Sequence, residues 1–400
     1  MLQPKDIAND SWKRLYFWLS QNGLEGYDPY SIKEMPFYYW ITKWPQLLPL
    51  KVIRFPIMRL IEFYPALWIR LFHLPPKVIS KGLGLLASSY LSLYRKTGEK
   101  KYLKSADQCF DLLGESSVKG FSGHCWGVPF VWQFPSGTPC SVASIIIGHA
   151  YWARYQTFGQ DSDLAVCQSI CDFLVNDLNR DDVSPDEVCF SYTPLDRTHI
   201  LNGSLFSSEF LIRIGKELKN RRWVELGEKG VNYVLRNQQE DGSFWYFGPE
   251  DEGLYPISSR TLKKVDGYHT GFILRMLKEA NKLLSIHQLE GAIERGLYFY
   301  LNNFIDEKRG IPFTHLNIHR HRIDIHGCAE ALLILNAFAD YDSKIDELLP
   351  KVLIWVIKNM QDPSGYFYYE KTPIITKKIA YLRWGQAWMA RALTDIIESR

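Results

Sequence analysis

Residues 81–94 read KGLGLLASSYLSLY, and the same design recurs along the whole chain. A polar residue and a glycine are followed by about four helical turns of small and apolar residues. A helix that is apolar nearly all round must be buried on most sides. Comparable runs begin at residues 81, 141, 202, 266, 326 and 384, which gives steps of 60, 61, 64, 60 and 58 residues. This regular spacing predicts six structural repeats.

A second set of helical patterns, with one charged face each, lies between the apolar runs. These patterns cover approximately residues 100–114, 162–178, 222–238, 288–303 and 344–359. Each one is followed by a polar turn and a short aromatic segment, such as GSFW at 242–245 or GYF at 365–367. The repeat is therefore an apolar inner helix, an amphipathic outer helix and a brief extended return to the next inner helix.

Six such helix pairs can close into a ring with parallel inner helices. The sequence therefore predicts an all-α (α/α)6 toroid over residues 76–400, within a single domain. Only five outer helices follow the inner ones. We expect residues 1–75 to form an N-terminal helical arm that packs on the toroid and supplies the sixth.

Motifs along most of the chain carry a resemblance to known proteins. They are GYDPYS (26–31), KGLGLLASSYLSLY (81–94), FSGHCWGVPFVWQ (121–133), CFSYTPLDRTHILN (189–202), RNQQEDGSFWY (236–246) and DGYHTGF (266–272). The chain resembles the six-hairpin toroid superfamily of glycoside hydrolases, sugar epimerases, polysaccharide lyases and terpenoid cyclases. Among these it is most similar to toroid proteins encoded in bacterial polysaccharide-biosynthesis loci. The resemblance implies the toroid fold and a glycan-related role, but no particular reaction.

Composition and charge exclude several classes of protein. The chain has 47 Lys and Arg against 44 Asp and Glu, a net charge of +3, which is too balanced for a nucleic-acid binder. Aromatic residues make up 14% of the chain, enough to fill a large core or to line a groove that stacks on sugars.

The seven cysteines show no disulfide framework, and the opening residues 1–14 lack the pattern of a secretory signal. We therefore expect a cytoplasmic protein. The apolar stretch 47–79 is interrupted by charges and prolines, so it does not read as a membrane-spanning helix. It either packs across the protein or makes peripheral contact with a membrane surface.

The residues before the repeated glycines should ring one mouth of the toroid, where the inner helices begin. In sequence order they are Lys81, Asn202, Asp266, His326 and Trp384. Helix N-termini also present free backbone N–H groups that favour uronate or phosphate groups. Helix capping explains Asn202 and Asp266, but it explains the other three poorly.

Two helical faces near this mouth combine carboxylates with imidazoles. Asp266 and His269 are three residues apart, and His326 and Glu330 are four apart. The sequence predicts these four as the catalytic residues of an acid–base site. Two alternatives remain open: caps with satisfied core polar groups, or a metal site near Asp266, His269 and Cys328. We expect no metal and no cofactor.

Further residues lie in loops or helix starts where they can contact a glycan. The predicted substrate-binding residues are Asp28, Trp126, Trp132, Tyr192, Asn202, Trp245, Arg383 and Trp384. For the tryptophans, wedging between helical hairpins is an equally good interpretation.

Three function classes follow. The first is an enzyme that acts on an acidic or neutral oligosaccharide, polysaccharide or lipid-linked glycan by hydrolysis, β-elimination or epimerisation. The second is a non-catalytic glycan-binding or assembly factor. The third is a terpenoid or prenyl-type enzyme, which is disfavoured because neither a DxDD nor a DDxxD motif occurs.

Overall fold

The computed structural model describes residues 3–35, 38, 57–253, 259–316 and 320–399. Within these ranges the long helices form an inner and an outer set. The inner helices are α2 (Ser80–Thr97), α4 (Ser141–Phe158), α6 (Leu201–Glu217), α8 (Gly267–Leu284), α10 (Ile325–Ala337) and α12 (Ala387–Ser399). The outer helices are α1 (Pro4–Asn22), α3 (Lys100–Glu115), α5 (Asp161–Asn176), α7 (Arg221–Arg236), α9 (His287–Phe304) and α11 (Ser343–Met360).

The inner helices form a closed ring. Each one packs against the next along the chain, and α12 packs against α2. The first helix, α1, takes the outer position beside α12 and also contacts α11. The predicted all-α (α/α)6 toroid is confirmed.

Side-chain size explains how the inner helices approach one another. Helix α10 is buried without interruption from Ile325 to Leu335. A Cβ atom at Gly84 of α2 would lie 2.9 Å from Ile147 Cγ1, and one at Gly148 of α4 would lie 2.5 Å from the Phe210 ring. Small residues at these places therefore set the spacing of the ring.

Two glutamines brace the outer helices. Gln238, at the end of α7, donates from Nε2 to the carbonyl of Ala292 on α9 (2.8 Å). Gln361, at the end of α11, donates to the carbonyl of Ser11 on α1 (3.0 Å), and the Ser11 hydroxyl donates back to Gln361 Oε1 (2.9 Å). The second brace holds the first outer helix against the last one.

Short antiparallel strands connect the helices. Strand β1 (Glu25–Gly26) pairs with β2 (Lys77–Val78), β3 (Arg180–Ser184) with β4 (Glu187–Phe190), and β5 (Ile305–Asp306) with β6 (Ile311–Pro312). Strands β7 (Ile323–Asp324), β8 (Glu370–Lys371) and β9 (Thr376–Lys377) form a three-stranded sheet in that order. Several of these strands return the chain to the start of an inner helix.

In the described part of the chain between α1 and α2, a 3-10 turn covers Ser31–Glu34, residues 57–63 are helical, and a short helix follows at Pro65–Leu71. Ile61 and Ile69 are buried in a small cluster with Ile32, Met35 and Tyr381. Of the apolar stretch singled out in the sequence, residues 47–56 lie outside the described residues. Among the residues that are described, no helix has the length and apolar character needed to cross a membrane.

Candidate functional site

The N-terminal ends of the inner helices surround a cavity of about 1220 Å³. Every inner helix, or the residues just before it, contributes to the wall. These contributions are Lys81 from the first repeat, Cys140 and Val142 from the second, Asn202 from the third, Tyr268 and His269 from the fourth, His326 from the fifth, and Arg383 and Trp384 from the sixth. The prediction that the six helix starts meet at one end of the ring is confirmed.

His269 faces the cavity and is held from behind by Asp266. The Asp266 carboxylate caps α8: Oδ1 accepts the backbone N–H of His269 (3.0 Å), and Oδ2 lies 2.8 Å from His269 Nδ1. The Lys264 ammonium lies 3.0 Å from the same Oδ2. Burial works against the charged carboxylate, but His269 and Lys264 outweigh it and hold the pKa of Asp266 well below its usual range. An ionised Asp266 only accepts hydrogen bonds, so Nδ1 of His269 carries the proton.

His326 is packed between aromatic rings on the neighbouring inner helix. Its ring stacks on Tyr268 (centroids 4.8 Å apart) and on Trp388 (4.9 Å), and Trp384 meets it edge-on (4.8 Å). Burial lowers the pKa of His326 well below its usual value, and the positive charges of Lys81 and Arg383 add to this. Within the described part of the chain, neither ring nitrogen has a hydrogen-bond partner. A neutral imidazole at the cavity wall thus retains both a donor and an acceptor for a ligand.

Asp324 orients this histidine and its neighbour Trp384. It caps α10 by accepting the backbone N–H of His326 (2.7 Å), and both of its oxygens accept the indole N–H of Trp384 (2.9 and 3.0 Å). Burial raises the pKa of Asp324 to about 7, although these hydrogen bonds favour the charged carboxylate and lower the pKa. The carboxylate therefore fixes two residues of the wall from behind.

Arg383 lies on a π-helical turn, Leu382–Gln386, that precedes α12. Such wide turns often occur at functional sites because they redirect side chains. The Arg383 guanidinium is bonded in bidentate fashion to Asp28, Nε to Oδ2 at 2.6 Å and Nη2 to Oδ1 at 2.8 Å. Burial opposes the charged guanidinium, but Asp28 outweighs it and raises the pKa of Arg383.

Lys81 stands beside Arg383 in the first turn of α2. A Cβ atom at the adjacent Gly82 would lie only 3.4 Å from Arg383 Cα, so the two helix starts are in close contact. Lys81 is 7% exposed, and its ammonium lies 5.7 Å from the Trp388 ring. Burial, followed by the charge of Arg383, lowers the pKa of Lys81 to about 7.

Aromatic residues form much of the remaining wall. Trp132 and Tyr192 meet edge-on with ring centroids 5.7 Å apart, and the Tyr246 ring lies 4.5 Å from that of His269. Flat apolar faces next to hydrogen-bonding groups are suited to sugar rings, whose two faces are apolar and whose edges carry hydroxyl groups.

The structure divides the residues predicted from the sequence into two groups. Seven of them line the cavity: His269, His326, Trp132, Tyr192, Asn202, Arg383 and Trp384. The other five, Asp266, Glu330, Asp28, Trp126 and Trp245, are not among its lining residues.

The three carboxylates of the second group lie behind the cavity wall, where each forms an ion pair with a basic side chain. Asp266 binds His269 and Lys264, and Asp28 binds Arg383. Glu330 is fully buried between α8 and α10, where Arg275 donates to both of its oxygens (2.6 and 2.9 Å). Asp266 and Glu330 were expected to face the ligand, but the structure places both behind the cavity wall.

Two of the predicted stacking tryptophans also lie elsewhere. Trp126 is 1% exposed in the main core, where its indole N–H donates to the carbonyl of Leu113 (2.8 Å). Trp245 packs under the Lys263 ammonium, 4.8 Å from the ring centroid. The wedge interpretation describes Trp126, whereas Trp245 is partly buried against the small cluster of Ile200, Phe247 and Leu262.

Several wall residues were not predicted as site residues. Among them are Tyr30, Tyr246, Lys264 and Tyr268. Lys81, which the sequence places at the mouth without a chemical role, lines the wall as well. Asp324 behind the wall was also missed. The pattern Asp-Ile-His-Gly at 324–327 did contain a signal for it, because an aspartate just before an apolar helix is a typical N-cap.

The described residues contain no group of three or more His, Cys, Asp or Glu side chains placed to hold a metal ion. Cys328, named in the metal alternative, is fully buried, and its thiol has a pKa raised by burial.

Comparisons with known proteins identify the fold. No protein-family model matches the chain, and a search of curated proteins gave no match. The solved structures similar to it include an α-mannanase of glycoside hydrolase family 76 from Bacteroides thetaiotaomicron, with 12% identity, a TM-score of 0.63, and coverage of 80% of this chain and 86% of that one. A cellobiose 2-epimerase from Bacillus thermoamylovorans matches with 12% identity, a TM-score of 0.64 and coverage of 82% and 90%. A D-mannose isomerase matches with 10% identity, a TM-score of 0.63 and coverage of 80% and 87%. These neighbours are six-hairpin toroids, in agreement with the resemblance stated from the sequence.

Proposed function

We propose that this protein is a carbohydrate-active enzyme that moves a proton at the sugar carbon next to a carbonyl group, as in epimerisation or isomerisation. The observation that carries the proposal is the pair His269 and His326 on neighbouring inner helices. The first is oriented by a buried carboxylate, and the second has two unpartnered ring nitrogens at the same cavity. The epimerase and isomerase among the similar structures support it, since both have this fold.

His269 is the proposed base. Its Nδ1–H is held by Asp266, so the lone pair of a neutral ring is on Nε2. Burial lowers the pKa of His269, and Asp266 offsets only part of this effect, so the ring is neutral at pH 7. A neutral imidazole with a fixed tautomer can remove a proton from carbon and keep it for return.

The groups around His326 are suited to stabilise the intermediate. When the C–H bond breaks, its electron pair forms a C=C bond and the carbonyl oxygen becomes an enolate oxygen. A neutral His326 donates an N–H hydrogen bond to that oxygen, and the N-terminal ends of the inner helices at the wall add partial positive charge. An epimer forms when water protonates the same carbon from the opposite face and the resulting hydroxide takes up the proton held by His269. The isomer forms when His269 returns its proton to the neighbouring carbon and the hydroxyl proton of the first carbon passes to the enolate oxygen.

The cavity wall gives less support to hydrolysis. Most glycosidases use two carboxyl groups that flank the scissile bond. Asp196 is the one carboxylate among the lining residues that the structure describes. Its oxygens are bonded to the hydroxyls of Thr193 and Thr198 (both 2.6 Å) and to nearby backbone N–H groups. A hydrolase would need a second carboxylate at this wall.

The proposed substrate is a glycan or glycan precursor. The cavity volume of about 1220 Å³ exceeds the roughly 300–1000 Å³ of most small-molecule sites, so a disaccharide or longer chain fits in it. A place in polysaccharide biosynthesis, with a lipid-linked substrate, is proposed on the sequence resemblance. The cytoplasm is the proposed compartment, supported by seven buried free thiols.

Proton exchange tests the function directly. The protein is incubated in D₂O with reducing hexoses, hexuronates and β-linked disaccharides, and NMR follows loss of the C2 proton and formation of the product. We expect exchange by the wild type and a loss of roughly 10²–10⁴-fold in His269→Gln. His73→Gln, at an exposed histidine outside the cavity, is the matched control and should exchange normally.

Two other outcomes of this experiment would contradict the proposal. A wild-type protein that binds these sugars but exchanges no proton would be the non-catalytic glycan-binding factor. Equal exchange rates in the wild type and His269→Gln would remove this histidine from the chemistry and contradict the proposed site.

A further inference from the structure

Among the described residues that line the cavity, Lys81 is the one buried cation without a counter-charge. It is 7% exposed and lines the wall at the start of α2, a helix of 18 residues. Among the described residues, its ammonium has neither a carboxylate within ion-pair distance nor a hydrogen-bond acceptor, and it lies 5.7 Å from the centroid of the Trp388 ring. An ammonium group that loses part of its water shell without gaining a counter-charge is costly to bury.

The other cations of the wall are accounted for or exposed. Arg383 is neutralised by Asp28, and Lys264 by Asp266. Arg197 is exposed to solvent at the rim. Lys81 therefore differs from them in being both buried and unpaired.

Nearby groups do not supply the missing negative charge. Asp28 already accepts two hydrogen bonds from Arg383. The Cys140 thiol next to this wall is buried, and burial raises its pKa, so it is protonated at neutral pH. The N-terminal end of α2 adds partial positive charge of its own.

Two further unpartnered polar groups face the same region. They are Asn202 Oδ1, on a side chain that is 4% exposed, and the ring nitrogens of His326, on a side chain that is 2% exposed. Buried polar groups are usually paired, so these atoms indicate hydrogen bonds that a ligand makes. A carboxylate next to a sugar hydroxyl provides an acceptor for Lys81 and a donor for Asn202.

We infer that the substrate is a uronic acid or a uronate-containing oligosaccharide, and that the Lys81 ammonium binds its carboxylate. The inference rests on the proposed function only in taking the ligand to be a sugar. A carboxylate is preferred to a phosphate ester because one unpaired buried cation matches one negative charge, whereas a phosphate monoester carries about −1.5 to −2 at pH 7.

Binding measurements on matched sugars test this assignment. Calorimetry and saturation-transfer NMR compare glucuronate with glucose, galacturonate with galactose, and mannuronate with mannose. The measurements use His269→Gln, so that turnover does not alter the ligands. We expect at least one uronate to bind roughly 10–100-fold more tightly than its neutral partner, as for a hydrogen bond to a charged group.

Lys81→Met should abolish this preference and leave the binding of the neutral sugar unchanged. The same variant should raise the midpoint of thermal unfolding, because it removes a buried unpaired charge. Lys104→Met, at an exposed lysine of the outer helix α3, removes the same charge far from the cavity and should keep the preference.

Equal affinity within every pair, or no binding in any pair, would overturn the assignment. Hexose 6-phosphates are measured in the same way. Tighter binding of a phosphate than of the corresponding uronate would identify phosphate as the anion and would also overturn the carboxylate assignment. The proposed function is tested separately, since a uronate preference without proton exchange would refute only the chemistry. Exchange with neutral sugars alone would refute only the carboxylate site.

Discussion

Asp28 and Arg383 form a buried bidentate ion pair although 355 residues separate them. Both side chains are buried, with exposures of 0% and 5%. Asp28 lies two residues after strand β1, and Arg383 lies on the π-helical turn before the last inner helix. The pair thus joins the N-terminal part of the chain to the closing repeat, and it holds a guanidinium at the cavity wall.

Removal of the Asp28 carboxylate should destabilise the protein strongly. Asp28→Ala leaves Arg383 buried without its counter-charge, a loss for which about 3–5 kcal/mol is typical. Urea unfolding measures the change in the free energy of unfolding. Glu225→Ala removes the exposed pair with Arg221 and is the control, with an expected effect below about 1 kcal/mol. Equal small effects of both substitutions would contradict the structural role of the buried pair.

Asp266 acts through His269 rather than on the ligand, so its effect on turnover can be measured separately from its effect on stability. Asp266→Asn should lower turnover by roughly 10²–10⁴-fold. The free energy of unfolding should fall by less than in Asp28→Ala, because Asn keeps the helix cap and the Lys264 side chain that loses its partner is 43% exposed to solvent. Loss of the carboxylate removes a group that raises the pKa of His269, so that pKa should fall further.

An NMR titration of the His269 ring measures this shift alongside turnover. A variant with unchanged turnover, or one in which the pKa of His269 does not move, would show that Asp266 only caps the helix.

The two tryptophans near residue 130 should respond in opposite ways. Trp126 is in the core, so Trp126→Ala should cost about 3–5 kcal/mol of stability. Trp132 lines the cavity, so Trp132→Ala should weaken sugar binding by roughly 3–10-fold with little loss of stability. Thermal unfolding and calorimetry of both variants provide the comparison. Weaker binding by a stably folded Trp126→Ala protein would contradict the placement of these rings.

Stability should also depend on pH through His199. Its Nδ1 lies 2.8 Å from Asp251 Oδ1 and its Nε2 lies 2.9 Å from Asp181 Oδ2, so both nitrogens donate to carboxylates and the ring is an imidazolium. Burial disfavours this form, but the hydrogen bonds to Asp251 and Asp181 outweigh it and raise the pKa of His199. The stabilisation is therefore fully present below about pH 6.5 and is lost as the pH rises through the folded-state pKa.

The difference in unfolding free energy between the wild type and His199→Gln measures this effect. We expect the difference to be largest near about pH 6 and to shrink towards about pH 9. A difference that is constant over this range would show that His199 contributes no charge to the folded state.

Much of the fold was determined by the sequence alone. The spacing of the apolar runs located each inner helix start to within a few residues, and the amphipathic patterns located the outer helices. A helix such as α10, apolar on all sides, has no stable position except inside a ring of other helices. The helix boundaries follow from local periodicity within each repeat, and the toroid follows from the recurrence of that repeat six times along the chain.

The division of polar residues between the cavity and its supporting layer was decided only by the tertiary structure. Asp266 and His269 are three residues apart on the same helix, yet His269 faces the cavity and Asp266 lies behind it. Trp126 and Trp132 belong to one loop, and only Trp132 reaches the wall. The partner that holds Arg383, for example, is Asp28 in the N-terminal part of the chain. Closure of the ring brings them together, and no local pattern records which carboxylate will meet which cation.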